Sequence, residues 1–212
     1  TTLSTQQVAG LDTTAAGNLS GTQVLALSAA QIGALSAGSL SALGSTEIQA
    51  WSTTQLGAVT ATQFAGLTTT EITDFSDTQL GLLSATQLHG FTTTQLNALD
   101  TAQLTVLTAA SLSTRQVGGL PPTALDRLTT TQIGSLDAGQ FRAIAPTALD
   151  SLDTSIFAGL SAPQAGALTA SQIGALGTAN FSALSETTGI PSLANSAIAG
   201  ITTDQIAALS ST

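Results

Sequence analysis

Few side chains in this sequence could do chemistry, and their types and spacing do not form a catalytic site. The chain has one histidine, His89, and no cysteine. A hydrolytic triad would need a carboxylate to orient His89 and a nucleophile beside it, but Ser and Thr are so frequent that a neighbouring hydroxyl is uninformative. Composition also excludes thiolate catalysis and Cys/His zinc clusters. We therefore interpret His89 as a surface residue and expect no enzyme activity, catalytic residue or cofactor.

The acidic residues include one local cluster that could bind a cation. Glu71, Asp74 and Asp77 are spaced three residues apart, and carboxylate oxygens suit hard cations such as Ca²⁺. The cluster lacks the dense oxygen ligands of a dedicated calcium loop, so we interpret it as an incidental acidic patch and predict no metal site. Half of the 12 acidic residues occupy positions that would cap short helices: Asp12, Glu47, Glu71, Asp100, Asp137 and Asp153.

Charge and hydropathy exclude two further classes of partner. Three arginines (Arg115, Arg127 and Arg142), no lysine and 12 acidic residues give a net charge of −9. Nucleic-acid binding requires clustered cations, so we expect no nucleic-acid partner. The mean hydropathy is +0.36, yet no apolar run approaches the ~18 residues that would span a bilayer. We therefore predict no transmembrane insertion.

An eight-residue repeat organises the chain and positions these side chains. From Leu3 the sequence divides into 24 complete octads, such as LSAAQIGA and LTTTQIGS, whose positions we letter a to h. Position a is apolar in every octad, and position f is a large apolar residue in 22. Position b is Ser, Thr or Asp in 19 octads, and position e is Gln or Glu in 17.

Each octad carries the signals that start and stop a short helix. Ser, Thr or Asp at b with Gln or Glu at e forms a capping box, and the apolar residues at a and f form a hydrophobic staple. Pro122 and Pro146 fall at c, the first helical position, where proline is favoured. Pro163 falls one place later. Glycine is concentrated at g and h, where we expect each helix to end.

These signals predict an all-α solenoid with one very short helix per octad. A strand interpretation fits poorly, because a and f are five residues apart and would point to opposite faces. Helices of about five to seven residues are too short to be stable alone, so they must stack on one another around a continuous core. The segment PTALD recurs after 24 residues, which favours three octads per superhelical turn over two.

The octad phase breaks twice, but we predict one domain over residues 1–212. Residues 107–111 form a five-residue interruption, and residues 184–192 form an irregular nine-residue block. Because the octads resume after each break, we interpret the breaks as local bulges within the stack. The alternative is that they are hinges or partner sites.

Threonine runs suggest a second use of the solenoid surface. Residues 68–70, 92–94 and 129–131 are Thr triplets at positions b, c and d. Stacked turns would bring some of them into an array of hydroxyl and methyl groups, as an ice-binding face requires. Because Ala, Gly, Ser, Asp and Pro interrupt positions c and d, we expect this array to be patchy.

The octads LTTTQIGS, WSTTQLGA, FTTTQLNA and ITTDQIAA resemble a known kind of repeat. They are similar to the TTxQIxxL-type octapeptide repeat tracts of large, lysine-poor surface or adhesin-like proteins that Gram-negative bacteria secrete. The resemblance covers nearly the whole chain, from Leu3 to Ala208. It implies export, a stalk or fibre role and assembly outside the cell, and it carries over no catalytic or binding residue.

We therefore expect a non-catalytic, extracellular or cell-surface bacterial protein. Its repeats would self-associate into a homopolymer or stack on adjacent repeats of a longer chain, because an uncapped end of the solenoid exposes the apolar core. Contact with a cell surface is part of this expectation. The alternative is a module that binds a glycan, another protein or ice through a polar, Thr-rich face.

Overall fold

The computed structural model describes residues 3–184, 186 and 188–209, and this part of the chain is all-helical without a β-strand. Its contacts divide the chain into two compact units, Thr1–Ser111 and Leu112–Thr212. The division falls at the end of the first predicted phase break, residues 107–111. One domain over residues 1–212 stays a prediction, and each unit has its own stack of helices.

The first unit consists of short α-helices, each of five residues or close to it, and one 3-10 helix at its end. The helices are α1 (Thr5–Ala9), α2 (Thr13–Gly17), α3 (Gly21–Leu25), α4 (Ala29–Ala34), α5 (Ala37–Ser41), α6 (Ser45–Gln49), α7 (Thr53–Gly57), α8 (Ala61–Gly66), α9 (Thr69–Thr73), α10 (Asp77–Gly81), α11 (Ala85–Leu88), α12 (Thr93–Ala98), α13 (Thr101–Val106) and the 3-10 helix Ala109–Ser111.

The second unit repeats this plan within its described residues. Its helices are α14 (Thr114–Gly118), α15 (Pro122–Leu125), α16 (Thr130–Gly134), α17 (Ala138–Ala143), α18 (Pro146–Asp150), α19 (Thr154–Ala158), α20 (Ala162–Ala167), α21 (Ala170–Ala175), α22 (Thr178–Ser182), α23 (Gly189–Ser192), α24 (Asn195–Ile198) and α25 (Thr203–Leu209).

The helices start as the octad pattern predicts. At α4, the Ser28 Oγ accepts a hydrogen bond from the Gln31 N–H at 3.3 Å, and the Gln31 Oε1 accepts one from the Ser28 N–H at 2.7 Å. The same reciprocal capping box recurs along both units, for example at α12 and α17. Pro122 and Pro146 are the first residues of α15 and α18. The capping-box prediction is confirmed.

Most helices end at positions g and h, as the pattern predicts; α7 ends at Gly57 and α8 at Gly66. No described residue, glycine included, has a positive φ, so glycine does not end these helices in the left-handed conformation. Helix α4, for example, ends as Leu35 turns to the extended conformation (φ −61°, ψ 144°). Some glycines instead permit close approach between turns, since a Cβ at Gly90 would collide with the backbone of Ala61.

Helices stack on the third helix along the chain. In the first unit α1 contacts α4, α2 contacts α5 and α9 contacts α12. In the second unit the same spacing runs from the α14–α17 pair to the α22–α25 pair. Three consecutive helices therefore complete one turn of the solenoid, and the prediction of three octads per turn is confirmed.

The core is built from positions a and f, as the pattern predicts. Position-f residues such as Val8, Ile32 and Phe64 are fully buried. Phe64 also contacts two position-a rings, with centroid distances of 5.9 Å to Phe75 and 5.2 Å to Phe91. Apolar side chains from different octads thus form a continuous core within each unit, which is what stabilises helices too short to persist alone.

The second predicted break is absorbed into the stack. Its described residues include α23, which contacts α20 as the helix of a regular octad would. In the octads that precede the break, a glutamine and its acceptor are separated by 28 residues, as are Gln172 and Ile144. Across the break the separation is 29 residues, because the Gln205 Nε2 donates to the Leu176 carbonyl. The nine-residue block therefore replaces one octad and adds a single residue.

Candidate functional site

The structure does not assemble the residues considered for chemistry into one site. His89 is exposed at the C-terminal end of α11. Arg115 and Arg142 are exposed on α14 and α17. Within the described part of the chain, no group of three or more His, Asp or Glu side chains is placed to hold a metal ion.

The Glu71 carboxylate is engaged in hydrogen bonds within the stack. Its Oε2 accepts from the Thr68 N–H at 2.6 Å, from the Thr68 Oγ1 at 2.7 Å and from the Ser41 Oγ at 2.9 Å. The side chain is buried. Asp74 is the C-cap of α9, and Asp77 is an exposed residue in the first turn of α10. Glu71 thus acts as a cap and as a contact between turns.

Glutamine at position e makes a second contact that the octad pattern did not predict. At α12, the Gln95 Oε1 accepts from the Thr92 N–H at 2.7 Å and so completes the capping box. The Gln95 Nε2 donates to the carbonyls of Phe64 at 2.8 Å and Leu67 at 2.6 Å, which lie at the end of α8 in the preceding turn. One buried amide therefore joins the start of one helix to the end of another.

The same contact recurs along both units, and we call the series the glutamine ladder. Each member donates its Nε2 to carbonyls 28 to 32 residues earlier, where the helix of the preceding turn ends. A buried hydrogen bond of this kind contributes roughly 0.5 to 1.5 kcal/mol to the free energy of unfolding. The contact within one unit is described for Gln31, Gln55, Gln63, Gln79, Gln87, Gln95, Gln103, Gln140, Gln164, Gln172 and Gln205.

A compositional bias in the sequence is the signal that could have revealed the ladder. Position e holds 15 glutamines and two glutamates, Glu47 and Glu71. A capping box accepts Glu as readily as Gln, so capping alone does not explain the bias. Only the amide has N–H donors for a second partner, which is what the preceding turn requires.

Other residue types at position e preserve the contact between turns. The Ser39 Oγ donates to the Leu11 carbonyl at 2.7 Å, and the Asn180 Nδ2 donates to the Asp150 carbonyl at 2.8 Å. At Glu71 the direction is reversed, because the donor is the hydroxyl of Ser41 in the preceding turn. A donor–acceptor pair between turns is thus kept where glutamine is replaced in these three octads.

Threonine at position d recurs over part of the first unit, and the expectation of a patchy array over the whole chain stays a prediction. Seven successive octads of the first unit carry an exposed threonine there. Since three octads make a turn, position d of successive turns falls in rows along the stack, and these threonines occupy the rows. The residues are Thr46, Thr54, Thr62, Thr70, Thr78, Thr86 and Thr94.

Local hydrogen bonds lower the pKa of Asp153 from its usual value. It is exposed as the N-cap of α19, and its side chain accepts from the Ser155 N–H at 2.8 Å. Hydrogen bonds from the Ser155 side chain and then from its backbone lower the pKa of Asp153 below the usual 3.8. Asp153 is therefore anionic at neutral pH.

No described helix has the length and apolar character needed to cross a membrane. Comparison of the chain with known protein families and with curated protein sequences gives no match.

Proposed function

We propose that this chain is a non-catalytic structural protein, a fibre-forming or stalk segment of a secreted bacterial surface protein whose repeats assemble by stacking. The observation that carries the proposal is the glutamine ladder. Its members, such as Gln63, Gln95 and Gln172, are buried and donate hydrogen bonds from one turn to the preceding turn, so they hold the turns together.

The ladder has a direction, which favours open-ended assembly. Its donors face the preceding turn and its acceptors face the following turn. Gln7 and Gln23 in the first repeats of the first unit are exposed, and so are Ile198 and Ile206 in the last repeats of the second unit. A further turn, from a second copy or from flanking repeats of a longer chain, would continue the same contacts. Such head-to-tail contacts generate filaments when they do not close.

The proposed location outside the cell rests on composition and on the repeat resemblance. The chain has no lysine, three arginines and no cysteine. All three arginines lie beyond residue 111, so the first unit offers no site to trypsin-like proteases. Octads such as LTTTQIGS resemble those of secreted surface proteins, and resistance to proteolysis suits a fibre at the cell surface.

Electron microscopy and light scattering of the full chain over a range of concentrations test the assembly. We expect extended particles whose length grows with concentration. Gln7→Glu keeps the capping acceptor but removes the amide donor, so it should reduce association. Gln6→Glu adds the same charge to the exposed neighbouring position and should have a smaller effect. Strictly monomeric particles at high concentration would overturn the polymer proposal.

The threonine rows favour a second candidate function, a binding module for a glycan, another protein or ice. The supporting observation is the exposed position-d series from Thr46 to Thr94. Regularly spaced hydroxyl and methyl groups suit a ligand whose own polar groups are regularly spaced, such as ice or a glycan. Thermal hysteresis and glycan-array binding of the chain would detect these activities. We expect Thr70→Val to weaken them and Ser45→Ala, at position c of a neighbouring turn, to weaken them less.

A further inference from the structure

The glutamine ladder is interrupted at several octads of the second unit, where position e is Ala124, Ala148, Ile156 or Ala197, and the interruption in the octad of α19 lies beside a cavity. Position e of this octad is Ile156, which has no hydrogen-bond donor. By the spacing of the ladder, a glutamine there would donate to the carbonyls of Leu128 and Leu125, 28 and 31 residues earlier, as Gln164 does to Leu136 and Ile133. The preceding turn therefore lacks its usual amide partner at this place.

A cavity lies where the amide is missing. It has a volume of about 280 Å³, and its lining includes Leu125, Leu128 and Ile156 together with Asp126, Ser151 and Asp153. A second cavity of about 100 Å³ also contacts Ile156, and none of the described residues that line it is charged. We call the two cavities together the α16–α19 groove. The groove thus combines an acidic part with an uncharged part.

The exposure of one leucine is independent evidence that the stack is open here. The position-a side chains from Leu27 to Leu193 are buried in the described structure, with the single exception of Leu128. Leu128 is half-buried and lines the groove. An interior core residue is therefore left uncovered beside a gap in the ladder.

The polar groups at the acidic part of the groove include two carboxylates. The Asp126 Oδ1 accepts from the Ser151 Oγ at 3.1 Å, and the Asp153 Oδ1 accepts from the Ser155 N–H at 2.8 Å. The nearest cation along the chain, Arg127, donates its Nε to the Thr123 carbonyl at 3.0 Å. Carboxylate oxygens have several acceptor sites each, so both can take a further donor.

We propose that the α16–α19 groove binds a primary alkylammonium group, with the ammonium at Asp126 and Asp153 and the alkyl chain against Leu128, Ile133 and Ile156. An ammonium has three donors and no acceptor, which matches the acceptor oxygens of the two carboxylates. The alkyl chain covers the apolar surface that the missing glutamine leaves open, as a lysine stem does when its charged head stays in water. Binding at the groove does not require filament formation.

Titration of n-hexylammonium into the full chain, followed by ¹H–¹⁵N NMR, tests this assignment. We expect saturable shifts at residues 125–133 and 151–156, and no comparable shifts with hexanoate or hexanol. Asp126→Asn and Asp153→Asn should each weaken binding about tenfold, the order expected for one charged hydrogen bond. Asp137→Asn, a change at another N-cap aspartate of this unit, should leave binding unchanged. Equal binding of hexanoate, or no effect of the groove variants, would overturn the proposal.

The variant Ile156→Gln provides a second test through the ladder itself. The new amide should donate to the Leu128 carbonyl, fill the groove, abolish hexylammonium binding and raise the Tm. A folded Ile156→Gln protein that binds hexylammonium with unchanged affinity would contradict the proposal. If this variant does not fold, the two aspartate variants still decide the question.

A second ligand distinguishes the two sources of an alkylammonium. Nα-acetyl-lysine N-methylamide presents the group as a polypeptide side chain does, whereas n-hexylammonium is a free amine. Tighter binding of the lysine derivative supports a lysine of a partner protein as the occupant. Tighter binding of hexylammonium supports a small amine. Failure of both to bind would overturn the proposal.

Discussion

At the residue scale, each ladder glutamine connects local structure with tertiary structure. In Gln95, Oε1 belongs to the capping box of its own helix, and Nε2 belongs to the contact with the preceding turn. Burying an amide is costly unless its groups are paired. Pairing with two separate segments satisfies the buried groups and fixes how one turn sits on the next.

Exchange of the amide for a carboxylate separates these two roles. Gln95→Glu keeps the capping acceptor but places an acceptor against the carbonyls of Phe64 and Leu67. We expect it to lower the free energy of unfolding by about 1 to 3 kcal/mol, the cost of unpaired buried groups. Gln7→Glu, which is exposed in the first repeat, should change it by less than about 0.5 kcal/mol. Urea unfolding monitored by circular dichroism measures both, and equal effects would contradict the role of the ladder.

Asp153 makes a prediction about pH. Its folded-state pKa is lowered by the hydrogen bonds from Ser155, so its contribution to stability is present above the unfolded pKa of 3.8 and lost as pH falls through the folded pKa. Asp153→Asn keeps a capping side chain but does not titrate. We expect the Tm advantage of the wild-type chain over this variant to be constant from pH 7 to 5 and to shrink below pH 4. An advantage that persists at pH 2 would refute this origin.

At the scale of the element, the helices depend on contact with their neighbours. The described α-helices have four to seven residues, whereas isolated helices need about 12 to 15 residues to be even marginally stable. Close approach between turns is therefore a condition for their formation. Gly90 shows this directly, since it follows α11 and lies against the Ala61 backbone at the start of α8.

A matched pair of glycine variants tests the importance of close approach. Gly90→Ala would force the two helices apart, and overpacking of this kind costs typically 1 to 3 kcal/mol. At Gly57, the last residue of α7, an added Cβ meets no atom within 4 Å. Gly57→Ala should therefore be neutral or stabilise the chain by about 0.5 to 1 kcal/mol. Thermal unfolding measures both, and destabilisation by Gly57→Ala that matches that of Gly90→Ala would argue against the packing explanation.

At the scale of the whole molecule, two units each contain a stack with its own core. In repeat proteins, stability is approximately a sum of terms within repeats and between neighbours. The first unit has four complete turns of helices that contact one another. It also contains the only tryptophan, Trp51, whose side chain is buried. Trp51 emission therefore reports on the first unit alone.

We predict that residues 1–111 fold by themselves. The fragment keeps its core and its ladder members from Gln31 to Gln103, which donate to carbonyls of the same unit, from Leu3 to Phe75. We expect it to retain helical circular dichroism and the blue-shifted emission of a buried Trp51. The full chain in the same buffer is the reference. A fragment with the emission of solvent-exposed tryptophan would show that the first unit needs the second to fold.

The sequence by itself determined the local part of this fold. The capping box joins b to e, three residues apart, and the staple joins a to f, five residues apart. These contacts close within one octad, so residue types such as Ser28 and Gln31 are sufficient to specify them. The proline positions, the buried positions a and f, and the need for stacking follow from the same short-range pattern.

Tertiary structure decided how the octads are stacked and what the glutamines bind. Every octad carries nearly the same pattern, so local spacing does not specify which earlier carbonyl will meet Gln95. The partners, Phe64 and Leu67, follow only once three helices complete a turn. Likewise, Ile156 is visible in the sequence as an exception at position e, but the α16–α19 groove exists because the turn before it presents Leu128 there. Contacts between turns join residues about 28 positions apart in the sequence, and the number of helices in each turn of the superhelix sets that separation.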